Sequence, residues 1–274
     1  MSKIAVITVS DKKYLFHFET FYKSFILNET NPNVFYEHFY IYKNKNEIDN
    51  FNKKYHFLKQ FPKIIINFVP HNIPYCDSIK LYSAHYRYFA LKNLLLLNKY
   101  DKLLYLDVDS YINKSTFNIC NEIKQSFGIF LRMNKKVNIC EKLTNIEFYK
   151  QKYKYQKNKL ILSGTIFCKC DNNGKVIINK IIKKLINTKK PLNFDNLSKH
   201  IKTPYWVIDQ KILEEYFITY KIDIYILPRL FLDLYCDKNS NIFFVKGKEA
   251  PWKSDMWQNI IKKTKKSFFE KYKI

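Results

Sequence analysis

Two acidic side chains, Asp107 and Asp109, stand at the end of Leu103-Leu104-Tyr105-Leu106, the most apolar strand pattern in the chain. Residues two apart on an extended segment project to the same side, so the spacing brings two carboxylates together where a buried strand gives way to a loop. Like charges held that close repel, and a cation between them relieves the repulsion. An all-oxygen donor set suits a hard ion, Mg²⁺ or Mn²⁺, which takes one or two carboxylates and completes its shell with water and phosphate oxygens. Phosphate must be held by other means than a glycine loop. The four glycines, Gly128, Gly164, Gly174 and Gly247, cannot spell G-x-G-x-x-G or G-x-x-x-x-G-K-[ST], which removes the dinucleotide and P-loop readings. Of 48 basic residues only Arg87, Arg132 and Arg229 are arginines, and in so Lys-rich a chain an Arg points to bidentate contact with phosphate or carboxylate. The six histidines form no H-E-x-x-H or similar ligand spacing, leaving His85 and His200 as weak candidates.

The elements that must carry these groups alternate. Residues 4–9 form an apolar, β-branched run, followed by a polar turn and a helical pattern over residues 14–27. Strands are expected at 39–42 and 64–69, a helix at 78–98 capped by Ser78, and a strand at 103–108 that delivers the acidic pair. Further strands are expected at 128–133, 160–168, 222–227 and 242–245, with helices over 176–187 and from Thr203-Pro204 onward. The polar stretch 134–159 reads as a helix plus loop. Strands alternating with helices predict an α/β fold with a mostly parallel central sheet covered on both faces, and ligands of such sheets bind beyond the carboxyl ends of the strands, where the acidic pair is expected.

Two enzyme classes use an apolar-strand D-x-D. In haloacid-dehalogenase-type phosphatases it opens the chain and needs a later acidic pair, whereas here a hundred residues precede it and no Asp-Asp or Gly-Asp follows. In GT-A nucleotide-sugar transferases it lies in mid-chain. Ser10-Asp11-Lys12-Lys13-Tyr14 leading to Phe21-Tyr22-Lys23-Ser24, Ser83-Ala84-His85-Tyr86-Arg87 before the D-x-D, Leu162-Ser163-Gly164-Thr165, Trp206-Val207-Ile208-Asp209-Gln210, and Val245-Lys246-Gly247-Lys248 up to Pro251-Trp252 occur in one order along the chain. Together they resemble glycosyltransferase family 8 and its relatives.

The resemblance implies a GT-A, Rossmann-like fold and a metal-dependent hexosyltransferase, retaining by family, that uses Mn²⁺ or Mg²⁺. It implies a nucleotide-sugar donor, UDP-linked above all, and a saccharide or lipid-linked acceptor. It places Asp107 and Asp109 on the metal, and Thr8, Ser10, Asp11, Tyr14, Arg87, Val108, Ser163, Gly164, Lys246, Gly247 and Lys248 with them around the donor. Asp209 and Gln210 fall beside the reacting sugar, Asp209 as base or as a ligand of sugar hydroxyls. One departure stands out: Phe244 occupies the place of the family's metal-binding His, and Ala250 that of its Lys before Pro-Trp, while Lys246-Gly247-Lys248 fits the Lys-Gly-x-Lys loop of a related bacterial group.

Simpler readings stand beside these. Asp11 could form only a turn, Arg87 a surface ion pair, and Ser163-Gly164 a tight strand packing; Asp209 and Gln210 could favour a helix dipole, and Lys246 and Lys248 could be two more lysines.

Composition bounds the rest. The 274 residues carry 48 Lys and Arg against 24 Asp and Glu, a formal charge of +24, and 47% are apolar. That excludes intrinsic disorder and leaves two sources for the charge, an anionic partner or the bias that also enriches Asn, Ile, Tyr and Phe. Six cysteines without a C-x-x-C pair read as free thiols in a reducing compartment. The short apolar N-terminal run and the lack of any ~18-residue apolar stretch give a soluble, cytoplasmic expectation. Residues 1–250 are expected as one glycosyltransferase domain, and 251–274 as a tail in which Trp252, Trp257, Phe268, Phe269 and Tyr272 interleave with lysines. Such a tail suits either a peripheral anchor on an anionic membrane or a helix packed on the domain. From other classes, a nucleic-acid-binding protein and an inactive GT-A relative remain, although no nucleic-acid motif is present and no nucleic-acid partner is expected.

Overall fold

Strand β1 (Ile4–Asp11) is buried at all eight positions, the burial that a continuous apolar run in a parallel sheet requires. In the computed structural model of the chain it pairs in parallel with β2 (Val34–Tyr42), placing Thr8 opposite His38, and β2 pairs in parallel with β3 (Ile64–Pro70). The structure describes residues 2–71, 79–131, 161–187, 209, 212–213, 224–227, 232–233, 241–244 and 255–273. The expected helix and loop at 134–159, and most of the helix after Thr203-Pro204, lie outside them.

The chain divides into two compact units. The first comprises Met1–Pro70, Leu106–Glu122 and Arg229–Ile274; the second comprises His71–Tyr105 and Ile123–Pro228. The first unit carries strands in the order β3-β2-β1 and the second in the order β4-β7-β6-β8, where β4 is Lys102–Leu106, β6 Phe127–Leu131, β7 Ile161–Lys169 and β8 Ile224–Ile226. β6 runs parallel to β8 and antiparallel to β7, so the α/β class and the mostly parallel sheet are observed. A smaller sheet in the first unit joins β5 (Ser110–Ile112), β10 (Ile242–Phe244) and β9 (Leu232–Asp233).

In the first unit, a 3-10 turn (Lys12–Tyr14) leads from β1 into helix α1 (Leu15–Asn28). Phe18, Phe21, Tyr22 and Phe25 of that helix are all buried, against Tyr36, Phe51 and Tyr55. Helix α2 (Lys45–Lys54) was not expected, because Ile48 and Phe51 are its only apolar residues. Its start is nonetheless written in the sequence: the Asn44 side chain accepts from Glu47 N–H at 3.1 Å and the Glu47 carboxylate accepts from Lys43 N–H at 2.9 Å, a reciprocal cap. β2 starts at Val34, five residues before its expected position, since Glu37 and His38 break the apolar pattern yet are buried with partners.

The second unit holds α3 (Ile79–Leu97), ended by Asn98 in the left-handed region (φ 48°) as helix ends favour, and α5 (Asn172–Asn187), which follows the short α4 (Phe117–Glu122) of the first unit in chain order. α5 starts four residues before its expected position. The Asp171 carboxylate accepts from Gly174 N–H at 2.7 Å and caps it, and a Cβ on Gly174 would lie 2.2 Å from the Lys169 carbonyl oxygen.

Helix α6 (Asp255–Tyr272) ends the chain's described part. It packs on the first unit rather than standing free. Ile261, Thr264 and Phe268 are buried, Phe268 meets Tyr22 and Phe61, and Tyr272 meets Phe61 edge-on at 5.2 Å. Lys262, Lys263, Lys265 and Lys266 face outward beside exposed Phe269. Of the two readings of the tail, the packed helix describes these aromatic side chains. Among the described residues, no helix is long and apolar enough to cross a membrane.

Candidate functional site

β4 is buried along its whole length and stops at Leu106, before the acidic pair. The Ser110 N–H then donates to the Asp107 carbonyl at 3.0 Å, closing a turn with Val108 and Asp109 at its centre. The extended geometry expected through residue 108 is corrected: β4 ends at Leu106, and the pair lies in a turn closed by a backbone bond. Both are half-buried, and Val108 is buried between them. Directly afterwards β5 pairs antiparallel with β10, Ser110 opposite Phe244.

The chain on the far side of the turn is fixed by α1. Ile112 N–H donates to Ser24 Oγ at 3.0 Å and Asn28 Nδ2 donates to the Ile112 carbonyl at 2.8 Å. Just past the end of α1, the buried Glu29 carboxylate accepts from Thr116 N–H at 2.7 Å, Thr116 Oγ1 at 3.0 Å and Ser115 Oγ at 2.5 Å. Glu29 carries no motif, and sequence reasoning missed it. Only the Ser115-Thr116 pair, two hydroxyls in a loop, hinted at an acceptor.

Asp11 ends β1 and is fully buried; its Oδ1 accepts from Lys13 N–H at 2.8 Å and caps the turn that leads to Tyr14. Asp11 is therefore a turn former, and it is more than that. The Tyr14 phenol is pushed above its ordinary range by burial first, then by Asp109, Asp11 and Asp107 in that order. Three carboxylates act on one half-buried phenol, which is the electrostatic setting a cation relieves. Among the described residues, no group of three or more His, Cys, Asp and Glu side chains could hold a metal. The protein's share of a site would be Asp107 and Asp109, which fits Mg²⁺ or Mn²⁺ and their one or two carboxylates.

Thr8 and Ser10 place their side chains on the opposite face of β1 from Asp11. Thr8 Oγ1 lies 2.7 Å from both Tyr36 Oη and His38 Nδ1, and Ser10 Oγ lies 3.1 Å from His38 Nε2. These hydroxyls serve a buried network around His38, stacked on Phe18 with ring centroids 4.2 Å apart. What β1 can offer a ligand from these two positions is backbone.

The second unit holds its own polar cluster. Arg87 Nε stands 3.6 Å from Asp209 Oδ2, with side chains 7% and 0% exposed. The Tyr88 hydroxyl donates to the same oxygen at 3.4 Å, and the Arg87 guanidinium lies over the Tyr105 ring at 5.2 Å from its centroid. Burial, then Asp209, pushes the Tyr88 phenol well above its ordinary range. The surface ion pair considered for Arg87 is corrected to a buried one, and Asp209 is its counterion. Gly164 is buried in β7, where the register against β6 steps from Ile166 opposite Ile129 to Leu162 opposite Phe130. Ser163, Gly164 and Thr165 thereby form a bulge, a device that re-aims backbone and side chains. His85 is fully buried. Gln210, Lys246, Gly247, Lys248 and His200 lie outside the described residues.

No protein-family model matches the sequence, and no curated protein matches it. Solved structures do. The glycosyltransferase GlyE of Streptococcus pneumoniae TIGR4, in its apo form, is 13% identical with a TM-score of 0.56 over 98% of this chain and 64% of that one. The bifunctional glycosyltransferase WbbM is 14% identical with a TM-score of 0.59 over 98% of this chain and 51% of that one. The galactosyltransferase LgtC, solved in complex with donor and acceptor sugar analogues, is 14% identical with a TM-score of 0.56 over 94% of this chain and 95% of that one. The chain thus spans less than two thirds of GlyE and about half of WbbM. With mostly parallel strand pairing and an acidic turn between β4 and β5 in chain order, the chain has the GT-A-like fold of these glycosyltransferases.

Proposed function

We propose that this protein is a metal-dependent glycosyltransferase that moves a hexose from a nucleotide-sugar donor, UDP-linked, to a saccharide or lipid-linked acceptor. The observation that carries the reading is the acidic turn that follows β4, with Asp107 and Asp109 half-buried and the Ser110 N–H bonded to the Asp107 carbonyl, in a chain with a GT-A-like fold. The LgtC complex with donor and acceptor sugar analogues supports both substrate classes.

Asp107 and Asp109 would hold the ion. When bound, Mn²⁺ or Mg²⁺ supplies charge stabilisation for the departing nucleoside diphosphate. The protein does the rest by positioning. Asp11 fixes the loop that presents Tyr14, whose ring forms a wall for the nucleoside, and the turn from Asp107 to Ser110 sets the spacing of the carboxylates. Lys246 and Lys248, flanking Gly247, neutralise the diphosphate as fixed cations. Ser163, Gly164 and Gln210 border the sugar. Asp209, buried against Arg87, acts as an electrostatic support rather than as a base, which agrees with a retaining outcome that needs no carboxylate base on the acceptor. The outward lysines of α6 hold the enzyme loosely to an anionic membrane surface by charge, since Phe268 and Tyr272 already pack inward.

Titration calorimetry with UDP, with and without Mn²⁺, followed by a donor-hydrolysis assay, tests this. Wild-type chain should bind UDP more tightly with Mn²⁺, and Asp107→Ala and Asp109→Ala should lose that gain together with turnover. Full turnover in either variant, with the fold intact, would remove the assigned role.

A further inference from the structure

We propose that the C-terminal helix α6 is a positioning element for the acidic turn and acts through Thr264 and Tyr111; the functional consequence rests on the glycosyltransferase reading above. Tyr111 is two residues past Asp109, at the centre of the three-residue strand β5. Its hydroxyl stands 3.3 Å from Thr264 Oγ1 on α6 and 3.4 Å from Asn28 Nδ2 on α1. Thr264 has one hydroxyl hydrogen, and the 2.7 Å contact with the Ile260 carbonyl claims it. Across the longer contact the phenol is therefore the donor. A single chain of hydrogen bonds then runs from Asn28 through Tyr111 and Thr264 into the backbone of α6.

Three features make this more than incidental packing. Thr264 is only 3% exposed, on a helix face otherwise filled by Ile261 and Phe268. A buried hydroxyl there is costly unless it is bonded, so an aliphatic residue would serve packing better. β5 is short, its Ile112 is held by Ser24 and Asn28, and the Tyr111 hydroxyl joins it to α6. The helix also reaches the other border of the carboxylate cluster: the Lys265 ammonium lies over the Phe16 ring at 5.4 Å from its centroid, two residues past Tyr14. α6 therefore braces both segments whose carboxylates act on Tyr14, namely β5 with Asp107 and Asp109 before it, and the start of α1 with Asp11 before it.

Tyr111→Phe is a clean test, because Asn28 keeps the Ile112 carbonyl and Thr264 keeps the Ile260 carbonyl. Thr264→Val removes the same link from the other side, and Thr264→Ser restores it. Two readouts apply to each variant of the full chain: hydrogen exchange at the amides of residues 110–112 without any ligand, and the dissociation constant for UDP in the presence of Mn²⁺. Tyr111→Phe and Thr264→Val should each speed exchange and weaken UDP binding by roughly five-fold, one neutral hydrogen bond's worth, while Thr264→Ser stays near wild type and the thermal midpoint moves equally little in all three. Unchanged exchange and unchanged affinity in both Tyr111→Phe and Thr264→Val would overturn the proposal. Asp109→Asn separates the two readings. If that variant binds UDP and Mn²⁺ like wild type, the glycosyltransferase assignment fails, while the exchange readout still decides whether α6 braces the turn.

Discussion

Acid should destabilise this protein through His38. Both ring nitrogens are used, Nδ1 with Thr8 at 2.7 Å and Nε2 with Ser10 at 3.1 Å, and burial holds the imidazole down to about 3 from an ordinary 6.5. In the folded state it stays neutral, while the unfolded chain takes up a proton as pH falls below 6.5. The stabilisation is therefore complete above that value and is lost progressively down to about 3. At pH 4.5 the two titrations differ by about two logarithmic units, which linkage converts to about 2.7 kcal/mol. His17, held near 4 by burial, adds a similar loss, so comparison with a variant is needed to isolate His38. Gln does not titrate and keeps hydrogen-bonding groups near Thr8 and Ser10. His38→Gln should be less stable than wild type at pH 7.5 in urea unfolding, and that gap should shrink by about 2.7 kcal/mol at pH 4.5. Carboxylates common to both proteins cancel in the difference. A gap of the same size at both pH values would show that His38 is not neutral and enclosed, and would remove the network credited with setting the end of β1.

Two further outcomes can be read by the same unfolding assay. Arg87→Met leaves Asp209 buried without its cation and should cost about 3–5 kcal/mol, most of which the added change Asp209→Leu should recover; additive losses in the double variant would mean that the pair is not coupled. Gly174→Ala drives a Cβ to 2.2 Å from backbone at Lys169 and should cost at least about 2 kcal/mol, whereas Gly128→Ala, whose nearest neighbours would be the Phe167 Cβ at 3.1 Å and the Tyr225 carbonyl oxygen at 3.4 Å, should cost less.

Periodicity carried much of the architecture. β1, α1, α3 and β4 were legible because each combines a long apolar pattern with a strong boundary, and the acidic pair was legible because it sits at such a boundary. What failed did so for physical reasons. α2 was missed because two apolar residues make no stripe, and its reciprocal cap at Asn44 and Glu47 was the signal to use. The early part of β2 was missed because His38 looks polar in sequence and becomes core only when Thr8 and Ser10, thirty and twenty-eight residues away, supply partners. The same pairing engages the Thr8 and Ser10 hydroxyls with His38. The surface ion pair considered for Arg87 failed because its partner Asp209 lies more than a hundred positions away, and single-sequence spacing says nothing about contacts at that range. Glu29 was invisible for the same reason.

A formal charge of +24 at first argues against a cation site anywhere on this chain. Range decides the matter. Exposed charges more than about 8 Å apart are largely screened at physiological ionic strength, so the outward lysines of α6 weigh little on a half-buried group elsewhere. The Tyr14 phenol registers what is close: it is raised by Asp109, Asp11 and Asp107, and no lysine is among the causes of its shift. The turn at Asp107–Ser110 and the cap at Asp11 thus hold an acidic locality inside a basic protein. The two fields suit different partners. Lysines acting through solvent favour an extended anionic surface and weaken with salt, whereas half-buried carboxylates close to one another favour a small cation and are screened much less. Net charge therefore bears on the proposed anionic surface, and the local turn on the proposed cation.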